Sequence, residues 1–351
     1  MHLLRGEFPH LEFIRMPGYE ITYSKRGVTA AGLLAQLPQL LARIAREHRR
    51  LKRIIRDYRI DGVVSDNRFG LWTGDVPTVY VTHQLRIKLP AAFGRFEPPL
   101  TRLHRWIIER FDLCWVPDFP GEPNLAGELS HPPSPPGNVR YIGVLSRFEP
   151  LPDRETRYDL LALLSGPEPQ RTIFERKVIE QLNGSGMRAL VVRGVPGGST
   201  SPTASGGVMT VDHLPGGELN RALMQAHLVL ARAGYSTAMD LAKLGKKAIL
   251  VPTPGQTEQE YLAYEYQHRG WFFTVLQDAF DLRGALEEAE HRPGISMSDD
   301  GGLLGAAVGE FLDLVDRSAR FCARPADFSP FTIKRKAKRY KERVKTPGDA
   351  K

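Results

Sequence analysis

From Asp159 to Glu290 the chain alternates short apolar runs with amphipathic ones, and most of the apolar runs end in a polar, glycine-containing loop. That alternation is the signature of a parallel sheet with helices on its faces. It predicts strands at Asp159–Leu164, Arg188–Val192, Val208–Val211, His227–Ala231, Lys247–Val251 and Trp271–Val275. Helices are expected at Arg171–Leu182, Glu218–Ala226, Ser236–Leu244, Glu260–Arg269, Phe280–Glu290 and Leu303–Leu314, with a Gly/Ser/Thr-rich loop between Val192 and Val208. The first part follows the same rule. Strands are expected at Leu11–Arg15, Asp61–Ser65, Thr78–Thr82, Leu113–Val116 and Val139–Ile142. A long helix spans Gly32–Tyr58 on a stripe of Leu33, Leu37, Leu41, Ile44, Leu51 and Ile55, with Pro38 marking a kink or the true start, and a second covers Pro99–Phe111. The Pro/Gly density of Asp118–Asn138 reads as a surface excursion.

The fold class expected is therefore α/β, two Rossmann-like parallel-sheet domains. Residues 1–142 form the first, 143–157 a linker, 158–318 the second and 319–351 a basic C-terminal segment. A chain of 351 residues with 42% apolar and 25% charged residues can bury two such cores. No apolar run approaches a membrane span, and the first residues do not read as a signal peptide. Cys114 and Cys322 are too few and too far apart for a disulfide framework, which fits a cytoplasmic protein. The net charge of +8 is concentrated on the helix carrying Arg43–Arg59 and on the tail between Lys334 and Lys345. Such clusters suit a solvated face or peripheral contact with the anionic inner face of a membrane. No nucleic-acid recognition motif accompanies them.

Ligands of open parallel sheets sit beyond the carboxyl ends of the strands. The loops to inspect are thus Ser165–Gln170, Arg193–Gly198, His213–Gly217, Arg232–Thr237 and Pro252–Gln259. Gly234 permits close approach of a ligand to the backbone, and Ser236 and Thr237 add hydroxyls at a helix start, where free N–H groups favour a phosphate. Asp240, one turn further on, could accept hydrogen bonds from two ribose hydroxyls, or be an ordinary charge in a helix. Glu258 and Gln259 suit sugar hydroxyls, or a capping pattern before Glu260.

The stretch "ARAGYSTAMDLAKLGKKAILVPTP…EQEYLA" resembles the C-terminal donor-binding motif of glycosyltransferase family 28, a GT-B family. The resemblance implies donor contacts by Arg232, Gly234, Thr237 and Gln259, and ribose contact by Asp240, which stands where the family has Glu and has a shorter reach. Gly245 and Pro252 also fit the pattern. "IGVLSRF" resembles the family's end-of-domain motif and implies that Arg147 contacts the diphosphate. Ser165 and Gly166 match part of a Gly-Gly-Ser loop, and Leu214 falls where a backbone group reads the nucleobase.

In the first domain, "VVSDNRFGLWTGDVPTVYVTHQL" has the family's layout and turns Asp66, Asn67, Arg68, His83 and Gln84 toward the cleft. Asp66 and His83 are the candidate general bases; Asp66 and Asn67 also fit an Asx turn, and His83 a hydrogen-bonded cleft residue. By the same resemblance, a strand, Gly-rich loop and helix of roughly 30 residues are expected ahead of "MHLLRGEFPHLEF". The implied activity is metal- and cofactor-independent transfer of a hexose or N-acetylhexosamine. The donor would be a nucleotide sugar, UDP by family, and the acceptor a carbohydrate or lipid-linked hydroxyl. A nucleotide-sugar hydrolase or epimerase, and a non-catalytic nucleotide-sugar-binding protein, are compatible with the same donor half.

Overall fold

A computed structural model describes residues 8–16, 30–152, 155–195, 197–297 and 301–321. Among the described residues, the first helix of the first domain is α1 (Ala30–Tyr58), which runs on through position 38, followed by β1 (Val63–Asp66) and β2 (Thr78–Val81). Then come α2 (Glu97–Ile108), β3 (Leu113–Val116) and β4 (Val139–Tyr141). The four strands lie in the order β1-β2-β3-β4, all parallel, with Asp66 beside Val81 and Val81 beside Trp115. One face of this sheet buries Tyr80, Cys114 and Val116 with Ile108 of α2 and Phe111. Leu51 and Ile55 of α1 pack with Leu71 and Val63 at the β1 end.

Two expectations fail here. Leu11–Arg15 forms no strand: Leu11 is 51% exposed, and the Arg15 carbonyl accepts from Arg50 Nη2 at 2.8 Å, so the segment is tied to α1 and not to a sheet edge. Asp118–Asn138 is a surface excursion only in part: residues 120–123 and 133–135 are exposed, but the middle turns inward. Leu125, Ala126, Leu129 and Ser130 are almost wholly buried, and residues Gly127–Leu129 form a short 3-10 turn. The organiser is Asp118, itself 0% exposed, whose carboxylate accepts from the N–H groups of Phe119, Leu125 and Ala126 and from the Ser130 hydroxyl. A carboxylate satisfied by four donors can stay buried, and it folds a Pro/Gly-rich loop inward without regular structure.

The second domain comprises β5 (Tyr158–Leu163), α3 (Gln170–Leu182), β6 (Ala189–Val192), β7 (Thr203–Ser205), β8 (Val208–Val211), α4 (Gly216–Gln225) and β9 (Ala226–Ala231). It continues through α5 (Tyr235–Leu244), β10 (Ala248–Leu250), α6 (Thr257–His268), β11 (Phe273–Thr274) and α7 (Leu282–Glu290). The sheet order is β11-β10-β9-β5-β6-β8-β7, parallel except for β7, which forms a hairpin with β8 inside the stretch expected to be loop. Gly245, at φ 62°, takes the left-handed conformation that ends α5 and lets the chain turn into β10. From β5 the chain order runs outward through β6 and β8 on one side and through β9, β10 and β11 on the other, so the crossover of the sheet falls between β5 and β9.

The last described helix, α8 (Gly302–Phe321), returns to the first domain. Its Ala307 and Phe311 pack on Val79, Leu113, Trp115 and Ile142, and its Glu310 pairs with Arg140 at 2.8 Å. The expected boundary at 318 therefore moves: residues from 302 on belong in space to the first sheet. The basic tail from Lys334 to Lys345 lies outside the described residues.

The carboxyl ends of the two sheets face one another. Tyr235, just past β9, donates to the Pro117 carbonyl just past β3 at 2.7 Å. His83, two residues past β2, meets Glu258 of α6, and Tyr261 of α6 receives the N–H of Glu128 at 2.8 Å.

Candidate functional site

The N-terminus of α5 sits at the crossover, where adjacent loops diverge and leave a crevice. Its cap residue, Gly234, has φ −79° and ψ 145°, and no side chain caps the helix. The first-turn N–H groups of Tyr235, Ser236 and Thr237 have no intrahelical acceptor. Ser236 is exposed and Thr237 half-buried. A Cβ built on Gly234 would meet nothing nearer than Thr237 Oγ1 at 3.8 Å, and its φ is open to any residue. Packing does not require glycine there; as a helix cap glycine is mildly favoured over alanine, and its missing side chain also leaves the amides open to close approach by a ligand. Gly234→Ala is accordingly expected to cost less than about 1 kcal/mol of stability. It should weaken phosphate-bearing ligands at least about tenfold, since a methyl group would stand over the amides. Thermal melting beside calorimetry checks this; an unchanged affinity would remove the anion from this helix end.

The flanking strands complete the crevice. Gly166, exposed after β5 with φ 109°, has its missing Cβ 3.5 Å from the Thr253 hydroxyl after β10, so loops from both neighbours of β9 close over its end. Ser165 is exposed beside it. The Thr253 hydroxyl is buried with no partner among the described residues.

Asp240 lies one turn into α5, half-buried, and accepts a hydrogen bond from Ser146 Oγ at 2.6 Å. Burial pushes its pKa up to about 6, against the opposing effects of the Ser146 hydroxyl and the nearby positive charge of Arg147. Arg147 itself is exposed. The interdomain segment thus brings a hydroxyl and a cation to the helix bearing Asp240, and a carboxylate with a displaceable hydroxyl partner is suited to a diol.

Several predicted donor residues are placed otherwise. Arg232 does not face the crevice. It is 2% exposed and donates to the Gln170 carbonyl at 3.0 Å and to Gln277 Oε1 at 2.7 Å, and more distantly to the carbonyls of Val251 and Pro252. Burial lowers its pKa to about 10, which leaves it a cation, with its guanidinium over the Phe174 ring at 4.4 Å. It ties together the loops that border the crevice and is buried from solvent. Gln259 uses its amide within its own loop, accepting from Thr253 N at 2.8 Å and donating to Gln256 Oε1 at 2.6 Å. The Leu214 side chain is buried in the core, so only the backbone there is available to a base. The Glu258 carboxylate is occupied across the cleft, by His83 Nε2 at 2.8 Å and by the Gln84 amide.

Of the candidate bases, His83 is at this junction and Asp66 is not brought to it by any described contact. Asp66 ends the edge strand β1, exposed, beside Asn67 in the left-handed conformation at φ 50°. Buried Tyr80 donates to Asn67 Oδ1 at 2.9 Å, and Arg68 pairs with buried Glu47, so this turn is firmly braced. His83 stacks on Tyr235 with ring centroids 4.0 Å apart and planes 11° from parallel. Tyr235 was missed as a functional position, although it is the one bulky residue in the otherwise small opening of α5; Ser146 carried no signal in the sequence. Among the described residues no cluster of three or more His, Cys, Asp or Glu side chains could hold a metal. No helix among them is long and apolar enough to cross a membrane.

Residues 217–290 match the family model described as the glycosyltransferase family 28 C-terminal domain. A curated relative is the UDP-N-acetylglucosamine–N-acetylmuramyl-(pentapeptide) pyrophosphoryl-undecaprenol N-acetylglucosamine transferase of Methylorubrum extorquens (strain PA1). It is 48% identical over 46 residues, which is 13% of this chain and only 12% of the relative's length. Two solved structures share the two-domain architecture across 91% of the chain, each at 15% identity and a TM-score of 0.50. They are a glycosyltransferase of kitacinnamycin, 85% covered, and the calicheamicin glycosyltransferase CalG4, 86% covered. The fold is thus the two-domain α/β GT-B architecture, and its second domain carries the family 28 C-terminal signature.

Proposed function

We propose that the protein is a glycosyltransferase that takes a hexose or N-acetylhexosamine from a nucleotide sugar to a hydroxyl acceptor. The observation that carries this reading is the N-terminus of α5, uncapped by any side chain, with open space at Gly234 and Asp240 one turn beyond, opposite a histidine of the other domain. The helix end would hold the diphosphate, aided by Arg147, and Asp240 the ribose. As the sugar–phosphate bond breaks, charge develops on the diphosphate where the amides already point. A base of the first domain, His83 or Asp66, would take the acceptor proton. The activity of the relative matched over 46 residues suggests UDP-N-acetylglucosamine as the first donor to try and a lipid-linked acceptor class. The exposed arginines of α1, among them Arg46, Arg49, Arg53 and Arg56, would suit peripheral contact with an anionic membrane.

The test is product analysis with a panel of nucleotide sugars, with and without hydroxyl acceptors. Glycosylated acceptor supports transfer. Free sugar or an epimer formed equally well without acceptor would replace it by hydrolysis or epimerisation, and donor binding without turnover by a binding role. Because helix amides and Arg147 are assigned the diphosphate charge, excess chelator should leave turnover intact. Activity abolished by EDTA and restored by Mg²⁺ would contradict that assignment.

A further inference from the structure

We infer that Glu258, on the donor-side domain, is the positioning residue of a histidine–carboxylate pair completed only across the cleft, with His83 as the catalytic base. This rests on the glycosyl-transfer reading above. Three observations carry it. First, Glu258 Oε1 is 2.8 Å from His83 Nε2, and the other carboxylate oxygen is held by the Gln84 amide, so the carboxylate is oriented at both ends. Second, the imidazole lies flat on the Tyr235 ring, and Tyr235 is itself fixed by its hydrogen bond to the Pro117 carbonyl. Third, His83 Nδ1 has no partner among the described residues, while the ring is only partly exposed, 19% for its side chain.

A carboxylate is an acceptor only, so it selects the tautomer with the proton on Nε2 and leaves the Nδ1 lone pair for substrate. Tyr235 is also the first residue of the helix assigned to the diphosphate, so the base and the leaving-group site share one rigid support. In the transfer step the acceptor oxygen forms its bond to the anomeric carbon and its proton passes to Nδ1. The bond from that carbon to the phosphate oxygen breaks, and its electron pair leaves on the diphosphate. The imidazolium so formed faces the Glu258 carboxylate, which stabilises it as the third group of a catalytic triad does. Neither domain alone contains the pair, so the base is oriented only when the domains meet.

Glu258→Gln is expected to lower kcat by about a hundredfold or more with little change in donor KM. The double variant with His83→Ala should be no slower than His83→Ala alone, because the two act as one unit. Independently of turnover, long-range ¹H–¹⁵N correlation spectra of the neutral imidazole should show His83 protonated on Nε2 in the intact protein. Both tautomers should appear in Glu258→Gln, with His83→Gln assigning the signals. A raised donor KM at unchanged kcat would make Glu258 a sugar contact, and an Nδ1–H tautomer in the intact protein would equally overturn the pair. Absence of transfer to any acceptor alongside the expected tautomer shift would instead remove the transfer reading while leaving the paired geometry standing.

Discussion

Arg232→Ala is expected to destabilise the protein by about 3–5 kcal/mol, because several acceptors lose their donor in a space closed to water. The guanidinium joins segments far apart in the chain: the start of α3 through the Gln170 carbonyl, the end of β10 through the Val251 and Pro252 carbonyls, and the β11–α7 connection through Gln277. Gln277 in turn donates to Gln170 Oε1 at 2.8 Å, closing the ring of contacts. Alanine would leave these groups buried and unpaired and would open a cavity against Phe174, itself 1% exposed. Arg232→Lys should recover only part of the loss, since an ammonium cannot bridge separated carbonyls as a planar fork does. Urea unfolding with and without nucleotide reads this directly. A variant with an unchanged midpoint that has lost nucleotide affinity would put the guanidinium at the donor, as the family resemblance implies.

Arg232 also marks where sequence reading stops. Its motif position is visible in "ARAGYSTAMD", but a motif records that an arginine is needed, not whether it touches ligand or holds the loops that do. The parallel strands of the second domain could be read to within one or two residues, because apolar runs such as Ala189–Val192 and Leu228–Ala231 are buried on both faces of the sheet and bounded by turn residues, whereas the exposed hairpin strand β7 has no apolar run to mark it. The loops that form the crevice follow from parallel topology alone. What stayed hidden depends on contacts distant in the chain. Asp118 turns a Pro/Gly-rich stretch inward through four donors spread over Phe119–Ser130, and composition suggested the opposite. The helix at Gly302–Phe321 has the apolar stripe of a packed helix, yet nothing local says that it packs on Trp115 and Val79. The sequence offers Glu258 as a sugar contact or as part of a helix cap, because its neighbours in sequence belong to the donor loop; its neighbour in space is a histidine 175 residues earlier.

Asp240→Ala is expected to weaken nucleotide-sugar binding by about 1–3 kcal/mol, since two ribose hydroxyls would lose a charged acceptor. The pH dependence distinguishes this role from a structural one. In the empty protein burial raises the Asp240 pKa to about 6, above its ordinary value of 3.8, so folding favours the neutral acid. The stability this group contributes is complete below the unfolded pKa and is lost as pH rises through about 6. Two hydroxyl donors from ribose act in the other direction, because they bind the anion better than the acid. Binding should therefore release a proton near pH 6. Affinity should be full above about pH 7 and fall about tenfold for each unit below pH 6. A nucleotide diphosphate sugar is the proper probe, as its diphosphate carries no terminal phosphate that titrates in this window. Asp240→Asn should flatten the profile while leaving the empty protein at least as stable above pH 6, because a neutral isostere avoids burying the charge. The 2′-deoxy donor should bind the intact protein more weakly and with a shallower profile, and should show no further loss in Asp240→Asn. Isothermal calorimetry in two buffers of different ionisation enthalpy counts the protons released. An equally steep profile in Asp240→Asn would assign the pH dependence to another group and return Asp240 to the role of a partner for Ser146.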